Sequence, residues 1–360
     1  MTNTVRNLVI GVLATISLTM VSGNYQTVFA QEIKISHQFP GGTITEGDFR
    51  DRLCRKFADE IEKRTKGALK GTIYPGSSLM KTNAQFRAVS MGALDMSLYP
   101  ISYAGGEVPE LNIGLMPGVV TSYEQGSAWK NAEVGKLFSE VLKEKGVIIV
   151  SWIWQAGGVA GRSKPIVEPE DSKGLKIRGG SREMDMVLKA AGASVLSLPS
   201  SEIYQSMQTG ALDAAMTSST SLISFRLEEI SKHLTTGRGH AYWFMFEPLI
   251  MSRAIFEKLP KDQQAIIMTV GAELEKFALE SAKADDQAVA AVYQKAGAKV
   301  YDLTAATVKK WQDIAKETAW KDYAKKNARC AKLIELSQQV VVAAEPNKPE
   351  VKPTAKGKKK

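Results

Sequence analysis

Three histidines are present, His37, His233 and His240, and none stands one helical turn from another. No pair of them can grip one ion from a single helix face, so neither a structural nor a catalytic metal site is expected. The run GGVAG (157–161) is rich in glycine but lacks the spacing of a dinucleotide-binding turn. There is no phosphate-binding loop motif and no strand–serine–helix elbow to present a nucleophile. The residue types thus give no catalytic constellation, and no cofactor is expected. A cation at the end of a strand stands out instead. Arg178 closes GLKIR (174–178), just ahead of Gly179, Gly180 and a helix start. In α/β sheets ligands bind beyond the carboxyl ends of strands. A guanidinium there offers a planar fork that matches a carboxylate. An inter-element salt bridge is the competing use of the same residue.

Aromatic side chains form a second concentration: Trp152 and Trp154, then Tyr242, Trp243, Phe244 and Phe246. Alternate residues of a strand point to opposite faces, so half of these are core. The others can wall a pocket while offering one hydrogen bond each. Two cysteines, Cys54 and Cys330, lie too far apart in sequence for a redox pair. In an exported chain they are expected to form a disulfide joining the first helix to a late one.

These residues must be positioned by alternating strands and helices. Segments 33–37, 71–75 and 95–100 read as strands. Between them, 45–67 carries Phe49, Leu53, Phe57 and Ile61 on one helical stripe, and 82–92 is helical. The alternation continues with a helix over 134–146, strands over 147–154 and 174–178, a helix over 181–192 started by Ser181, a helix over 200–210 and a strand over 211–218. Such order implies a mostly parallel α/β sheet. The segment 242–252 is long enough to run between two lobes. From Pro260 to about Tyr293 nothing but Gly271 interrupts a helix, roughly 45 Å long at 1.5 Å per residue. Residues 304–341 add further helix, with Val308, Trp311, Ile314 and Ala315 on one face.

At the N-terminus, Arg6 precedes an apolar run (8–23), and Val28-Phe29-Ala30 offers small residues where a signal peptidase reads. Residues 1–30 are therefore expected to be a signal peptide cleaved near Ala30. The net charge of +9 is uneven, since the tail 345–360 carries six lysines against two glutamates. Its prolines and charge mark it as a disordered, solvated tail rather than a nucleic-acid or membrane contact.

Three blocks carry a resemblance: EPEDSKGLKIRGG (168–180), GASVLSLPSSEIYQSMQTGALDAA (192–215) and PLIMSRAIFEKLPKDQQAII (248–267). With IKISHQFP and IYPGSSLM, they resemble the solute-binding proteins of TRAP transporters, the DctP family, from about residue 33 to about 335. The resemblance implies an α/β, periplasmic binding protein type II-like fold: two lobes, a ligand cleft and a long bracing helix. Lobe 1 is expected over 31–155, completed by about 250–340, and lobe 2 over 156–245. It further implies a periplasmic receptor that binds a small organic anion and hands it to a membrane permease. A monomer is expected, since nothing in the sequence argues for more. An exported lyase or hydrolase acting on a small carboxylate is the alternative, and a lysine-tailed surface protein a third class. By family position, Arg178 takes the carboxylate, and Gln38, Tyr99, Trp154, Thr217, Ser218 and Trp243 line the pocket. Many members carry a second arginine where this chain has Gly157 and Gly158, and an asparagine near Thr217 and Ser218. One cation and several aromatics are expected to favour a monocarboxylate with an apolar body.

Overall fold

The computed structural model describes residues 30–342, so the lysine-rich tail and, apart from Ala30, the export signal lie outside the described residues. The chain opens with β1 (Gln31–Ser36), α1 (Phe49–Arg64), β2 (Leu69–Tyr74), α2 (Thr82–Met91) and β3 (Met96–Leu98). Two 3-10 turns, Ile101–Ala104 and Pro109–Leu115, then α3 (Tyr123–Trp129) and α4 (Glu133–Glu144), lead to β4 (Val147–Ser151). Through β5 (Trp154–Gln155) it crosses to β6 (Gly157–Gly161), β7 (Lys176–Arg178), α5 (Arg182–Ala190), β8 (Ser194–Val195), α6 (Ile203–Gln208), β9 (Ala214–Ser218), α7 (Ser219–Ser224) and β10 (His233–Thr236). It returns by β11 (Met245–Phe246) to β12 (Leu249–Ser252) and α8 (Arg253–Phe256). Then follow α9 (Lys261–Lys295), β13 (Lys299–Asp302), α10 (Ala305–Ala315), α11 (Lys321–Ala324) and α12 (Ala328–Gln338).

Two sheets result, ordered β2-β1-β3-β12-β4 and β13-β10-β6-β9-β7-β8. The first is parallel except for β12, which runs against both β3 and β4. In the second, β6 runs against β9 and β10. The antiparallel member of each sheet is thus a strand that has just crossed from the other lobe. The stripe on α1 behaves as its spacing requires: Phe49, Leu53, Phe57 and Ile61 are all buried against the first sheet. That core continues through the interface to Ile177 and Met216 on the inner face of the second sheet, while Ala160, Ala215, Leu222 and Leu234 form a separate core on its far face.

Neither crossing is one long strand. The expected strand 147–154 breaks after Ser151, and the expected 242–252 run is interrupted at Glu247 and Pro248. Between the breaks, Trp154 pairs with Phe246 and Gln155 with Met245 in a two-stranded ribbon joining the lobes. The C-terminal segment also departs from expectation, because it completes both lobes. β13 pairs with β10 in the second sheet. α10 packs on α5, while α12 packs on α4 and the Pro109–Leu115 turn.

α9 follows Pro260 directly and runs unbroken through Gly271. Its first half grips lobe 1: the Gly271 carbonyl accepts from Ser151 Oγ at 2.7 Å, and Glu275 accepts from the Trp152 amide at 2.9 Å. Its second half grips lobe 2, where Asp285 accepts from Thr220 Oγ1 at 2.7 Å. No helix among the described residues is long and apolar enough to cross a membrane.

The expected Cys54–Cys330 bridge is not formed. Both residues are buried free thiols. Cys54 lies among the charges of Asp48, Asp51 and Arg55 on α1, whereas Cys330 lies beside the Tyr323 hydroxyl. Helix α12 docks on α4 and the Pro109–Leu115 turn rather than on α1, which carries Cys54.

Candidate ligand-binding cleft

Arg178 is the last residue of β7 and has no exposed surface. Gly180 follows at φ 97°, a conformation that favours glycine, and a methyl group there would lie 2.7 Å from Arg178 Nη1. Ser181 then caps α5, accepting from the Met184 amide at 3.0 Å, and donates to the Leu115 carbonyl of lobe 1 at 3.0 Å. The guanidinium donates Nε to the Leu198 carbonyl at 3.1 Å, Nη1 to the Met216 carbonyl at 2.7 Å and Nη2 to the Tyr103 hydroxyl at 2.6 Å. Three of its five N–H groups are therefore engaged, all by neutral acceptors. One N–H remains on each terminal nitrogen, available to a carboxylate. No ion pair to Arg178 occurs among the described residues. The carboxylate of Asp185 on α5 feels its charge but makes no ion pair with it. A buried cation hydrogen-bonded only by neutral groups favours an anion beside it.

Other expected residues connect to this fork through a chain of contacts. Ser36 of β1 pairs with Ser97 of β3, so Gln38 and Tyr99 leave the sheet side by side at its carboxyl end. The Tyr99 ring meets Tyr103 edge-on, with centroids 6.0 Å apart, and the Tyr103 hydroxyl accepts from Arg178 and from the Ser200 amide at 3.1 Å. Thr217 follows the Met216 carbonyl that Arg178 holds, and pairs with Gly158 of β6. Trp243 lies over Gly157: a methyl group on that glycine would stand 2.4 Å from Trp243 Cη2 and 2.1 Å from the Thr217 carbonyl. An arginine has no room there, because the indole fills the space. Both amide atoms of Gln38, the Tyr99 hydroxyl and Thr217 Oγ1 are buried with no partner among the described residues. Burial pushes the Tyr99 phenol well above its ordinary range and keeps it a donor. Leaving such groups unpaired is unfavourable, so they are suited to a polar ligand.

Two of the expected residues stand elsewhere. Trp154 packs against Trp129 and Phe246, and with Lys130 and with Glu275 of α9 it lines a concavity of about 160 Å³. Ser218 points to a different partner from its neighbour Thr217. Its Oγ accepts from the Ser221 amide at 3.2 Å as the cap of α7, and from Arg50 Nη1 at 3.3 Å. The sequence reading passed over Tyr103 and Arg50. Tyr103 lies in a 3-10 turn just past β3, and its only signal was that position at a strand's carboxyl end.

A sequence profile for the bacterial extracellular solute-binding proteins of family 7, DctP, matches residues 42–327. A solute-binding protein of Albidiferax ferrireducens is 72% identical over 319 residues, covering 88% of this chain and 94% of its own length. The C4-dicarboxylate-binding periplasmic protein of Rhodobacter capsulatus is 26% identical over 286 residues, 78% of this chain and 83% of its own length. Among solved structures, a TRAP periplasmic solute-binding protein from Rhodoferax ferrireducens with bound malonate superposes with a TM-score of 0.85 at 73% identity, covering 86% of this chain and 98% of that one. A Bordetella pertussis extracytoplasmic receptor that binds pyroglutamic acid shares the fold at a TM-score of 0.76 and 22% identity, over 86% of this chain and all of its own.

Proposed function

The chain belongs to the DctP family of bacterial extracellular solute-binding proteins, and from that premise we propose that it captures malonate or a dicarboxylate of similar length. It is a receptor for a small organic anion serving a TRAP-type permease. One carboxylate of the ligand takes the two free N–H groups of Arg178. The second lies among the neutral donors Gln38, Tyr99 and Thr217, with Trp243 as the wall between Gly157 and the ligand. The observation that carries this reading is the buried Arg178 guanidinium held only by neutral acceptors. The malonate in a relative 73% identical to this chain supports a dicarboxylate over the aromatic monocarboxylate that composition alone favours.

The receptor releases its ligand unchanged, reaches the periplasm after cleavage near Ala30 and works as a monomer. Isothermal titration of the mature chain with malonate, succinate and a short monocarboxylate tests the reading. Saturable one-to-one binding of malonate, with the acid recovered intact by chromatography, is the expected result. Absence of heat with malonate alongside strong binding of the monocarboxylate would reverse the choice of ligand, and consumption of malonate would make the protein an enzyme.

A further inference from the structure

A second buried arginine sits beside the cleft, and its chemistry is the reverse of the first. Arg50 lies in the opening turn of α1, in lobe 1, with no exposed surface. Asp48 accepts from its Nε at 2.9 Å and from Nη2 at 2.7 Å, and Glu247 accepts from Nη1 at 3.0 Å. Glu247 also accepts from Gln155 Nε2, which joins the two crossing strands through one carboxylate. The remaining donors reach into lobe 2: Nη1 to Ser218 Oγ at 3.3 Å and Nη2 to Ser221 Oγ at 3.0 Å. The Phe39 ring closes one face, its centroid 3.5 Å from Arg50 Cζ. All five N–H groups are thus engaged by the protein, and none is left for a ligand.

The partners divide by lobe. Asp48 belongs to lobe 1, and Glu247 and Gln155 to the crossing ribbon, whereas Ser218 ends β9 and Ser221 lies in α7. Were the lobes to open about the ribbon with α7 leaving α1, Arg50 would keep its carboxylates and lose only its two serine bonds. We propose that Arg50 is a closing latch: its bonds to Ser218 and Ser221 stabilise the closed receptor and so set ligand affinity without touching the ligand. This rests on the receptor reading above. Arg50 is a positioning residue, and its effect must fall equally on every ligand, since closure is common to all of them.

Arg50→Ala would strand Asp48 and Glu247 in the interior and endanger the fold. Ser221→Ala is the cleaner variant: it keeps every charge, the Ser218 cap and a good helix former in α7, and besides the Arg50 bond it removes only the Ser218–Ser221 hydroxyl bond inside lobe 2. The expected result is a Kd for malonate raised roughly tenfold, the weight of one hydrogen bond to a charged group, expressed as faster release in stopped-flow tryptophan fluorescence. A second organic acid bound by the unaltered protein must weaken by the same factor. An unchanged Kd, or a changed ratio between the two acids, overturns the latch. Failure of the unaltered protein to bind any organic acid overturns the receptor reading instead, so the two failures are told apart by the parent protein alone.

Discussion

Arg178 and Arg50 are both arginines without exposed surface, and only their partners separate them. Arg50 is neutralised by two carboxylates, whereas Arg178 meets two carbonyls and a phenol. That difference predicts a large loss when the fork is removed. Truncating one member of a buried charged pair costs about 2–5 kcal/mol. Arg178→Ala should therefore weaken malonate binding by tenfold at least, and Arg178→Lys by nearly as much, because an ammonium cannot bridge both oxygens. Titration calorimetry checks this, and a lysine variant with parental affinity would remove the bidentate role. The residue type and its place before two glycines made Arg178 legible in the sequence. Its competitor went unread because Asp48, Arg50 and Asp51 look like the solvated start of a helix until Phe39 and lobe 2 cover them. Thr217 and Ser218 could not be separated either, since only the fold reveals that one caps α7 while the other stays unpartnered. Trp154 and Trp243 failed to separate for the same reason: each sits at a strand end, and the side it faces depends on the ribbon.

Long or strongly patterned elements were legible, and short ones were not. The stripe on α1, the breaker-free run of α9 and the strand at Arg178 all appear where spacing puts them. β10 and β13 were missed, being four residues each, HLTT and KVYD, too short and mixed to show a period. Gly271 looked like the weak point of α9 and is instead its docking point. A methyl group there would lie 2.3 Å from the Val150 carbonyl and 2.5 Å from Val150 Cγ1. Two effects oppose each other in Gly271→Ala. Helix propensity favours alanine by about 1 kcal/mol, while overpacking against a backbone carbonyl costs roughly 1–3 kcal/mol. Backbone cannot swing aside as a side-chain tip can, so the clash wins and the variant should lose stability, by about 1 kcal/mol or more in urea unfolding. A gain in stability would mean that α9 can lift from β4 freely, against its role as a brace.

At the scale of the whole molecule, alternation of strand and helix implied a mostly parallel α/β sheet and the family resemblance two lobes, but neither showed how the C-terminal segment is shared between them. That sharing buries Glu183. This first-turn residue of α5 has no exposed surface; it faces Arg182 on its own helix, and its field includes Lys326, Tyr323 and Cys330 from the C-terminal helices. Burial pushes its carboxyl up to about 7, with Arg182 and Lys326 only partly offsetting this. Asp286 of α9, held by the Tyr123 hydroxyl at 2.5 Å, is likewise pushed by burial to about 6. For an acid whose pKa is raised by folding, the unfolded chain releases its proton first as pH rises. The stabilisation is complete below the unfolded carboxylate range and is lost as pH climbs through the folded value. Two-unit shifts of this kind correspond to roughly 3 kcal/mol each between pH 4 and pH 7. Asp51 works in the opposite sense: its own burial is outweighed by His37 and Arg55, which hold its carboxyl low, so its contribution is lost only below the ordinary carboxylate range. The protein should therefore lose stability between pH 5 and pH 8, and Glu183→Gln, neutral at every pH, should flatten that decline. Thermal unfolding of both proteins at pH 5 and pH 8 in one ionic strength decides it. Equal declines in the two would mean that Glu183 carries its charge inside the fold, with Arg182 and Lys326 outweighing burial after all.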